Sequence, residues 1–236
     1  LTLGMLREMI HELAFQAHDQ PPGDDGRGVI DQEKLDGKLF RLFQRLGVRQ
    51  IDEKIDIFVT VLRQEIGLLQ ERGDQSFVLP HLTFEEYLAA CYLADRADMA
   101  DLALARWEGP DRERWRGILL LLMGRLRQQG KLEDKALPWL QRLLATHSGR
   151  GQQRSAKPAA QQRSETLLAA LSYQELDNGA AFATSSADIE ALLDQPLRAM
   201  ISTLLSEPDN RILTPDRITA AQLLGQLGDP RFPVTI

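Results

Sequence analysis

Residues 77–90 have the sequence FVLPHLTFEEYLAA, which joins an apolar strand to a helix across a proline. Two short apolar runs, at 68–69 and 77–79, lie on either side of a Gly-Asp turn and predict a β-hairpin. Thr83 and Glu86 have the spacing of a capping box, so we expect Thr83 to cap the helix that follows. This strand-to-helix stretch decides the fold of the N-terminal part of the chain.

Amphipathic helices are predicted on both sides of the hairpin. Apolar residues recur at helical spacing over 3–17, over 32–46 behind a capping Asp31, and over 52–66. Three helices, a hairpin and a further helix is the element order of a winged-helix unit. The predicted fold class is therefore mainly α: a winged-helix domain with a small β-hairpin, followed by an α-solenoid-like helical region.

The pattern predicts four segments along the chain. They are a winged-helix-like regulatory domain at 1–97, a helical region at 98–147, a flexible linker at 148–164 and a HEAT-like helical region at 165–236. The linker is rich in Gln, Ser, Gly and Ala and contains basic but no acidic residues. Residues 220–231 are similar to the end of a HEAT-type repeat.

The composition excludes several classes of protein. The net charge of −6 opposes phosphate neutralisation, so nucleic acid is not an expected partner. One cysteine, Cys91, permits no intrachain disulfide, which fits a cytoplasmic location. The longest apolar run, 118–123, is far too short to cross a membrane, so no membrane partner is expected. Because the first residue is Leu, we expect the chain to have been cut from a longer protein, although N-terminal processing also gives this start.

Motifs that carry chemistry are missing from the sequence. There is no phosphate-binding loop, no nucleophile elbow and no zinc signature, and the four histidines are scattered. We therefore expect no catalytic residue and no metal site in this chain. Cys91 lies on the apolar side of its helix, where a buried small hydrophobe is the expected role.

His81 is the one candidate binding residue. It directly precedes the predicted helix start, where an imidazole can hydrogen-bond a phosphate and the helix N-terminus favours an anion. A histidine in that place can equally serve in capping or packing. The local pattern leaves both interpretations open.

The stretch 77–90 resembles the signature that closes the winged-helix part of NACHT-family STAND NTPases. That signature has an apolar residue, a histidine, Phe-Gln-Glu, an aromatic residue and Leu-Ala-Ala. Residues 66–69, Ile-Gly-Leu-Leu, resemble the start of the wing in the same family, and residues 114–122 resemble the first helix after it. In this chain Glu85 replaces the usual Gln and Pro80 directly precedes the histidine.

The resemblance implies a nucleotide-dependent switch. An upstream nucleotide-binding domain of the same polypeptide would hold ADP or ATP with Mg²⁺, and this chain alone would bind none. His81 would contact the phosphates in the closed, ADP-bound state. Ligand sensing by the C-terminal helices would open the protein, permit exchange to ATP and drive self-oligomerisation, with a protein as the sensed ligand. The parent protein would be an ATPase in bacterial defence signalling.

Two other functions compete with this hypothesis. A helical-repeat protein-binding scaffold without nucleotide switching explains the helices and the acidity, but not the hairpin followed by the His81 motif. A DNA-binding winged helix would use the helix at 52–66 in the groove, where Asp52, Glu53 and Asp56 would repel phosphate.

Overall fold

The computed structural model describes residues 2–73, 75–145, 159–185, 187–208 and 213–229. The prediction of a mainly α chain with a small sheet is confirmed. The chain divides into two compact units, Leu1–Ala97 and Asp98–Ile236. Over the described ranges, none of the helices combines the length and the apolar composition that crossing a bilayer requires.

The first unit contains helices and a short antiparallel sheet. Its described elements are α1 (Leu3–His18), β1 (Ile30–Asp31), α2 (Gln32–Arg45), α3 (Ile51–Thr60), β2 (Gln70–Glu71), β3 (Ser76–Val78) and α4 (Leu82–Asp95). A π-helical turn, Val61–Glu65, continues α3.

The sheet has the strand order β1-β3-β2. Phe77 of β3 lies opposite Ile30 of β1 on one side and Glu71 of β2 on the other. The β2–β3 hairpin agrees with the sequence prediction. Strand β1 was not predicted, because two residues are too few to show an alternating pattern. The third strand ties the segment before α2 to the wing.

Helix caps follow the prediction at α2 and differ at α4. Asp31 Oδ1 accepts a hydrogen bond from the Lys34 amide at 3.1 Å, as predicted. The helix α4 begins at Leu82, with His81 at the N-cap, so the capping box assigned to Thr83 is wrong. Its backbone enters the helical conformation directly after the extended His81, which leaves Thr83 in the first turn.

The core of the first unit lies between α1, α2, α3 and the sheet. Phe43 of α2 and Phe58 of α3 meet edge to face, with ring centroids 6.1 Å apart. Helix α1 also packs against α4, where the Phe15 and Tyr92 rings are 4.7 Å apart. Burial of apolar area stabilises this arrangement. The buried core residues are Met9, Leu13, Ala17, Ile30, Leu35, Leu39, Leu42, Phe43, Ile55, Phe58, Val59, Leu62, Leu69 and Phe77.

The described residues of the second unit form helices joined by turns and loops. The α-helices are α5 (Met99–Trp107), α6 (Arg112–Gln128), α7 (Leu137–Ala145), α8 (Ala159–Gln174), α9 (Gln195–Leu205) and α10 (Thr214–Leu227). Helix α5 packs on α6, α8 packs on α6, α7 and α9, and α10 packs on α8 and α9. The three tryptophans, Trp107, Trp115 and Trp139, are buried core residues.

The linker predicted at 148–164 differs from the structure in its last part. Helix α8 begins at Ala159, so residues 159–164 are helical where the linker was predicted. The buried residues of α8 begin at Glu165 and Thr166, and the helix packs against α6 and α7. Residues 148–158 lie outside the described residues. The HEAT-like character of 165–236 stays a prediction.

Candidate functional site

His81 stands at the N-terminal end of α4 with its side chain exposed. Its imidazole does not cap its own helix, and its ring stacks on that of Phe84 with centroids 6.1 Å apart and an interplanar angle of 26°. Phe84 is itself 52% exposed, and Tyr87 one turn further along α4 is 40% exposed. The His81 side chain therefore does not cap this helix, its ring packs on Phe84, and its binding of a phosphate stays a prediction.

The backbone around His81 forms the positive end of a helix dipole. The His81 carbonyl accepts hydrogen bonds from the amides of Phe84 (3.0 Å) and Glu85 (3.2 Å), which closes the first turn. The first amides of any helix point outward without an intrahelical acceptor and carry partial positive charge. An exposed imidazole beside such an end is suited to an anionic oxygen such as that of a phosphate.

A buried acid–imidazole pair lies beneath this helix start. His18, the last residue of α1, places its Nδ1 2.8 Å from Glu85 Oε1, and both side chains are fully buried. The Gly28 amide also donates to the Glu85 carboxylate, at 3.1 Å to Oε2 and 3.3 Å to Oε1. Glu85 therefore joins α4 to α1 and to the loop before β1.

This pair is not apparent from the sequence. Glu85 stands out there only as a departure from the usual Gln of the signature, and His18 is one of four scattered histidines. The two residues are 67 positions apart, so no local pattern connects them. A glutamate at an otherwise small-residue, buried position of α4 was the only available signal.

Gly28 must be a glycine for steric reasons. A Cβ placed on it would lie 1.8 Å from the backbone carbonyl oxygen of Ala17 in the last turn of α1. This is far inside van der Waals contact with backbone, which cannot rotate away. The close approach brings the Gly28 amide within reach of the buried Glu85 carboxylate.

A second set of contacts holds the residues immediately before His81. Arg27 Nη1 donates to the carbonyls of Leu79 (2.7 Å) and Pro80 (3.0 Å). The rest of its guanidinium donates to Asp25 Oδ2, from Nε at 2.9 Å and from Nη2 at 2.6 Å. Arg72, in the turn after β2, donates to Asp25 Oδ1 at 2.9 Å. We call these groups the Arg27 network: Asp25, Arg27, Arg72 and the carbonyls of Leu79 and Pro80.

Electrostatics favour the charged form of Asp25 in this network. The hydrogen bonds from the Arg27 side chain, and to a smaller extent those from its backbone and from Arg72, lower the pKa of Asp25 from 3.8 to about 2. The carboxylate is thus charged at any pH near neutrality and keeps both arginines in place.

Other candidate residues do not assemble into a site. Cys91 is buried in α4, and His11 is buried in α1 with its Nδ1 4.0 Å from Asp95. His147 lies outside the described residues. Within the described ranges, no three His, Cys, Asp or Glu side chains converge as metal ligands would. The Tyr173 hydroxyl donates to Asp194, burial raises the pKa of both groups, and this contact lies within the second unit.

The helix that a DNA-binding winged helix would insert into the groove is acidic. On α3, Asp52, Glu53 and Asp56 are exposed, and Ile57 beside them is 49% exposed. A surface of this kind repels phosphate, and it does not supply the cations that non-specific DNA binding requires. The expectation that nucleic acid is not a partner stays a prediction.

Comparison with known proteins gives a family match within the first unit. The family model described as a winged helix-turn-helix domain C-terminal to NACHT matches residues 23–93. Comparisons with curated proteins and with solved structures give no match. The matched range contains the Arg27 network, the sheet, His81 and most of α4. Residues 23–93 are therefore similar to a winged helix-turn-helix domain C-terminal to NACHT, and this match supports a NACHT-family protein segment.

Proposed function

We propose that this chain is the regulatory and sensor segment of a NACHT-type signal-transduction ATPase. In the resting state the winged-helix unit closes over ADP, and His81 donates a hydrogen bond to a phosphate oxygen. The observation that carries the proposal is the exposed His81 imidazole, which caps nothing, at the N-terminal end of α4. The match of residues 23–93 to a domain that follows NACHT supports an upstream NACHT domain in the same polypeptide.

The residues around His81 fit a phosphate. The imidazole is exposed, the adjoining helix end carries partial positive charge, and Phe84 supports one face of the ring. The nearest acid of the first turn, Glu85, is fully buried and already bonded to His18 and Gly28. A histidine–phosphate hydrogen bond contributes about 1–3 kcal/mol, which shifts a two-state equilibrium about tenfold or more.

The upstream domain would bind ADP or ATP with Mg²⁺, and this segment contributes one contact to that nucleotide. The helices of the second unit sense a protein ligand, and the resulting opening exposes surfaces for self-oligomerisation. Exposed Phe84 and Tyr87 on α4 suit burial in the closed form, since aromatic side chains gain the most from such contacts. A cytoplasmic role in bacterial defence completes the proposal.

The test uses the polypeptide that contains this segment together with its NACHT domain. We expect His81→Ala to raise the rate constant for release of a fluorescent ADP analogue by about tenfold, the equivalent of 1.4 kcal/mol. It should also favour the oligomeric form in size-exclusion chromatography. Thr83→Ala is the matched control, because Thr83 is exposed in the same helical turn and lies two residues away. Equal ADP release from wild type and His81→Ala would refute the assignment of His81.

The helical-scaffold hypothesis gives a different outcome. A scaffold without nucleotide switching would bind its partner equally in ADP and in ATP. We therefore compare partner capture and oligomeric state of the NACHT-containing protein in the two nucleotides. A nucleotide-dependent difference that His81→Ala abolishes supports the switch, and identical behaviour in both nucleotides supports the scaffold.

A further inference from the structure

Arg27 occupies an unusual place relative to His81. Its guanidinium donates from one nitrogen to two consecutive backbone carbonyls, those of Leu79 and Pro80, which directly precede His81. The side chain is 21% exposed, so these hydrogen bonds are partly shielded from water. Because the two carbonyls belong to the residues that lead the chain into α4, Arg27 fixes the direction from which His81 arrives at the N-cap.

The far side of the guanidinium is fixed as well. Asp25 accepts from Nε and Nη2 of Arg27 and also from Arg72, which follows β2 in the wing. The Asp25 and Arg27 backbones are held in one turn, since the Arg27 amide also donates to Asp25 Oδ1 at 3.2 Å. A continuous path of charge-assisted hydrogen bonds therefore runs from the wing to the backbone before His81.

We propose that Arg27 is a positioning residue that sets the place of the His81 imidazole, and that Arg72 makes this position dependent on the wing. A partner or a neighbouring domain that displaces the wing would withdraw Arg72 from Asp25, loosen Arg27 and move His81. The consequence for nucleotide retention rests on the proposed function; the positioning of His81 by Arg27 does not.

The chemistry of this contact requires arginine. The planar guanidinium presents one edge to a carboxylate and another nitrogen to carbonyls, and a lysine ammonium offers a single nitrogen for all these acceptors. Arg27→Lys keeps the charge but cannot reach both the Asp25 carboxylate and the two carbonyls with the same geometry. If charge alone placed His81, lysine would restore its position.

The first test uses this whole chain without nucleotide and follows the His81 ring signals by NMR, assigned by their loss in His81→Gln. We expect Arg27→Gln to shift the His81 signals, Arg27→Lys not to restore them, and Arg72→Gln to shift them less. Arg41→Gln is the control, because the hydrogen bond that Arg41 makes among the described residues goes to a carbonyl of its own helix α2. Unchanged His81 signals in Arg27→Gln would overturn the proposal.

A general loss of structure is separated from a change in position. His18 is buried at the end of α1, so its ring signals report on the fold of the same unit. We expect them to stay near their wild-type positions when those of His81 move. If Arg27→Gln disturbs both equally, Asp25→Asn keeps the arginine in the chain and removes only its anchor. A His81 signal that is unmoved in Asp25→Asn then overturns the proposal.

The second test uses the NACHT-containing polypeptide in a double-mutant cycle on ADP release. We expect Arg27→Gln to raise the rate constant about three- to tenfold, the effect of losing one hydrogen bond, and to add nothing when His81 is already alanine. An equal effect of Arg27→Gln in both backgrounds would overturn positioning through His81. If His81→Ala itself leaves ADP release unchanged, the proposed function fails, and the NMR result alone decides the role of Arg27.

Discussion

Removal of the Glu85 carboxylate tests the buried pair that joins α4 to α1. In Glu85→Ala, the His18 ring and the Gly28 amide both lose an acceptor at 2.8–3.3 Å. His18 and Glu85 are fully buried, so water cannot replace the lost hydrogen bonds without opening the helix contact.

The magnitude follows from the number of hydrogen bonds lost. Each buried donor that loses its acceptor costs about 1–3 kcal/mol, and Glu85→Ala removes the acceptor of two groups, the His18 ring and the Gly28 amide. We therefore expect Glu85→Ala to lower the free energy of unfolding of the first unit by about 2–6 kcal/mol. In Glu85→Gln the side-chain oxygen still accepts from Gly28, and the amide nitrogen can donate to His18 Nδ1 when the proton is on Nε2. We therefore expect Glu85→Gln to lower the free energy of unfolding by only about 1 kcal/mol.

Hydrogen exchange with mass spectrometry gives the required local readout. All three tryptophans, Trp107, Trp115 and Trp139, belong to the second unit, so their fluorescence does not report on α1 or α4. We expect faster exchange of the α1 and α4 amides in Glu85→Ala, with the urea transition of tryptophan fluorescence serving as the internal reference for the second unit. Glu65→Ala is the control, since Glu65 is exposed and its loss should change stability by less than about 0.5 kcal/mol.

Two outcomes would refute the reasoning. Wild-type exchange of α1 and α4 in Glu85→Ala would mean that the pair contributes no net stability. A loss in Glu85→Gln as large as that in Glu85→Ala would mean that the negative charge, and not the hydrogen bonding, is what the site requires.

Two further predictions concern the loop before β1. Gly28→Ala should destabilise the first unit by about 1–3 kcal/mol, because the added Cβ clashes with the α1 backbone. Gly37→Ala is the control: Gly37 lies in the middle of α2 with open space around it, so this change should stabilise the unit by about 0.5–1 kcal/mol. Thermal unfolding followed by circular dichroism compares the two variants, and equal changes in stability would contradict the close approach of Gly28 to α1. The pKa of Asp25 is 3.8 in the unfolded chain and is lowered to about 2 in the folded protein. The ionic contacts of Asp25 therefore stabilise the folded state fully at a pH above 3.8, and this stabilisation is lost as the pH falls through about 2. A carbon NMR titration of the Asp25 carboxyl should show this low midpoint and its return toward 3.8 in Arg27→Gln; an unshifted midpoint in wild type would contradict the network.

The sequence predicted the helices, the hairpin and the family resemblance because these features are local. Helical periodicity marks α1, α2 and α3 without reference to the rest of the chain, and the 77–90 stretch is a continuous motif. His81 was found in the same way, since its place before a helix is visible in the sequence. The role of His81 as a phosphate ligand stays a prediction.

Local patterns gave wrong predictions for α4, where contacts with other elements determine the start of the helix and its buried side. Thr83 and Glu86 satisfy the spacing of a capping box, yet α4 begins at Leu82, which places Glu85 against α1. Phe84 and Tyr87 recur at helical spacing in the sequence, yet both are exposed. The buried residues of α4, which packs against α1, are Glu85, Ala89, Ala90, Cys91, Leu93 and Ala94.

By itself, the sequence determined that this chain is helical, that it carries a winged-helix motif and that His81 precedes a helix. Only the tertiary structure decided which polar groups contact the residues on either side of that histidine. His18 and Glu85, and Arg27 and Pro80, are far apart in the chain and meet only when the helices and the sheet have packed. Side-chain periodicity records which surface of an element is buried, but the partner across a contact depends on where distant elements come together.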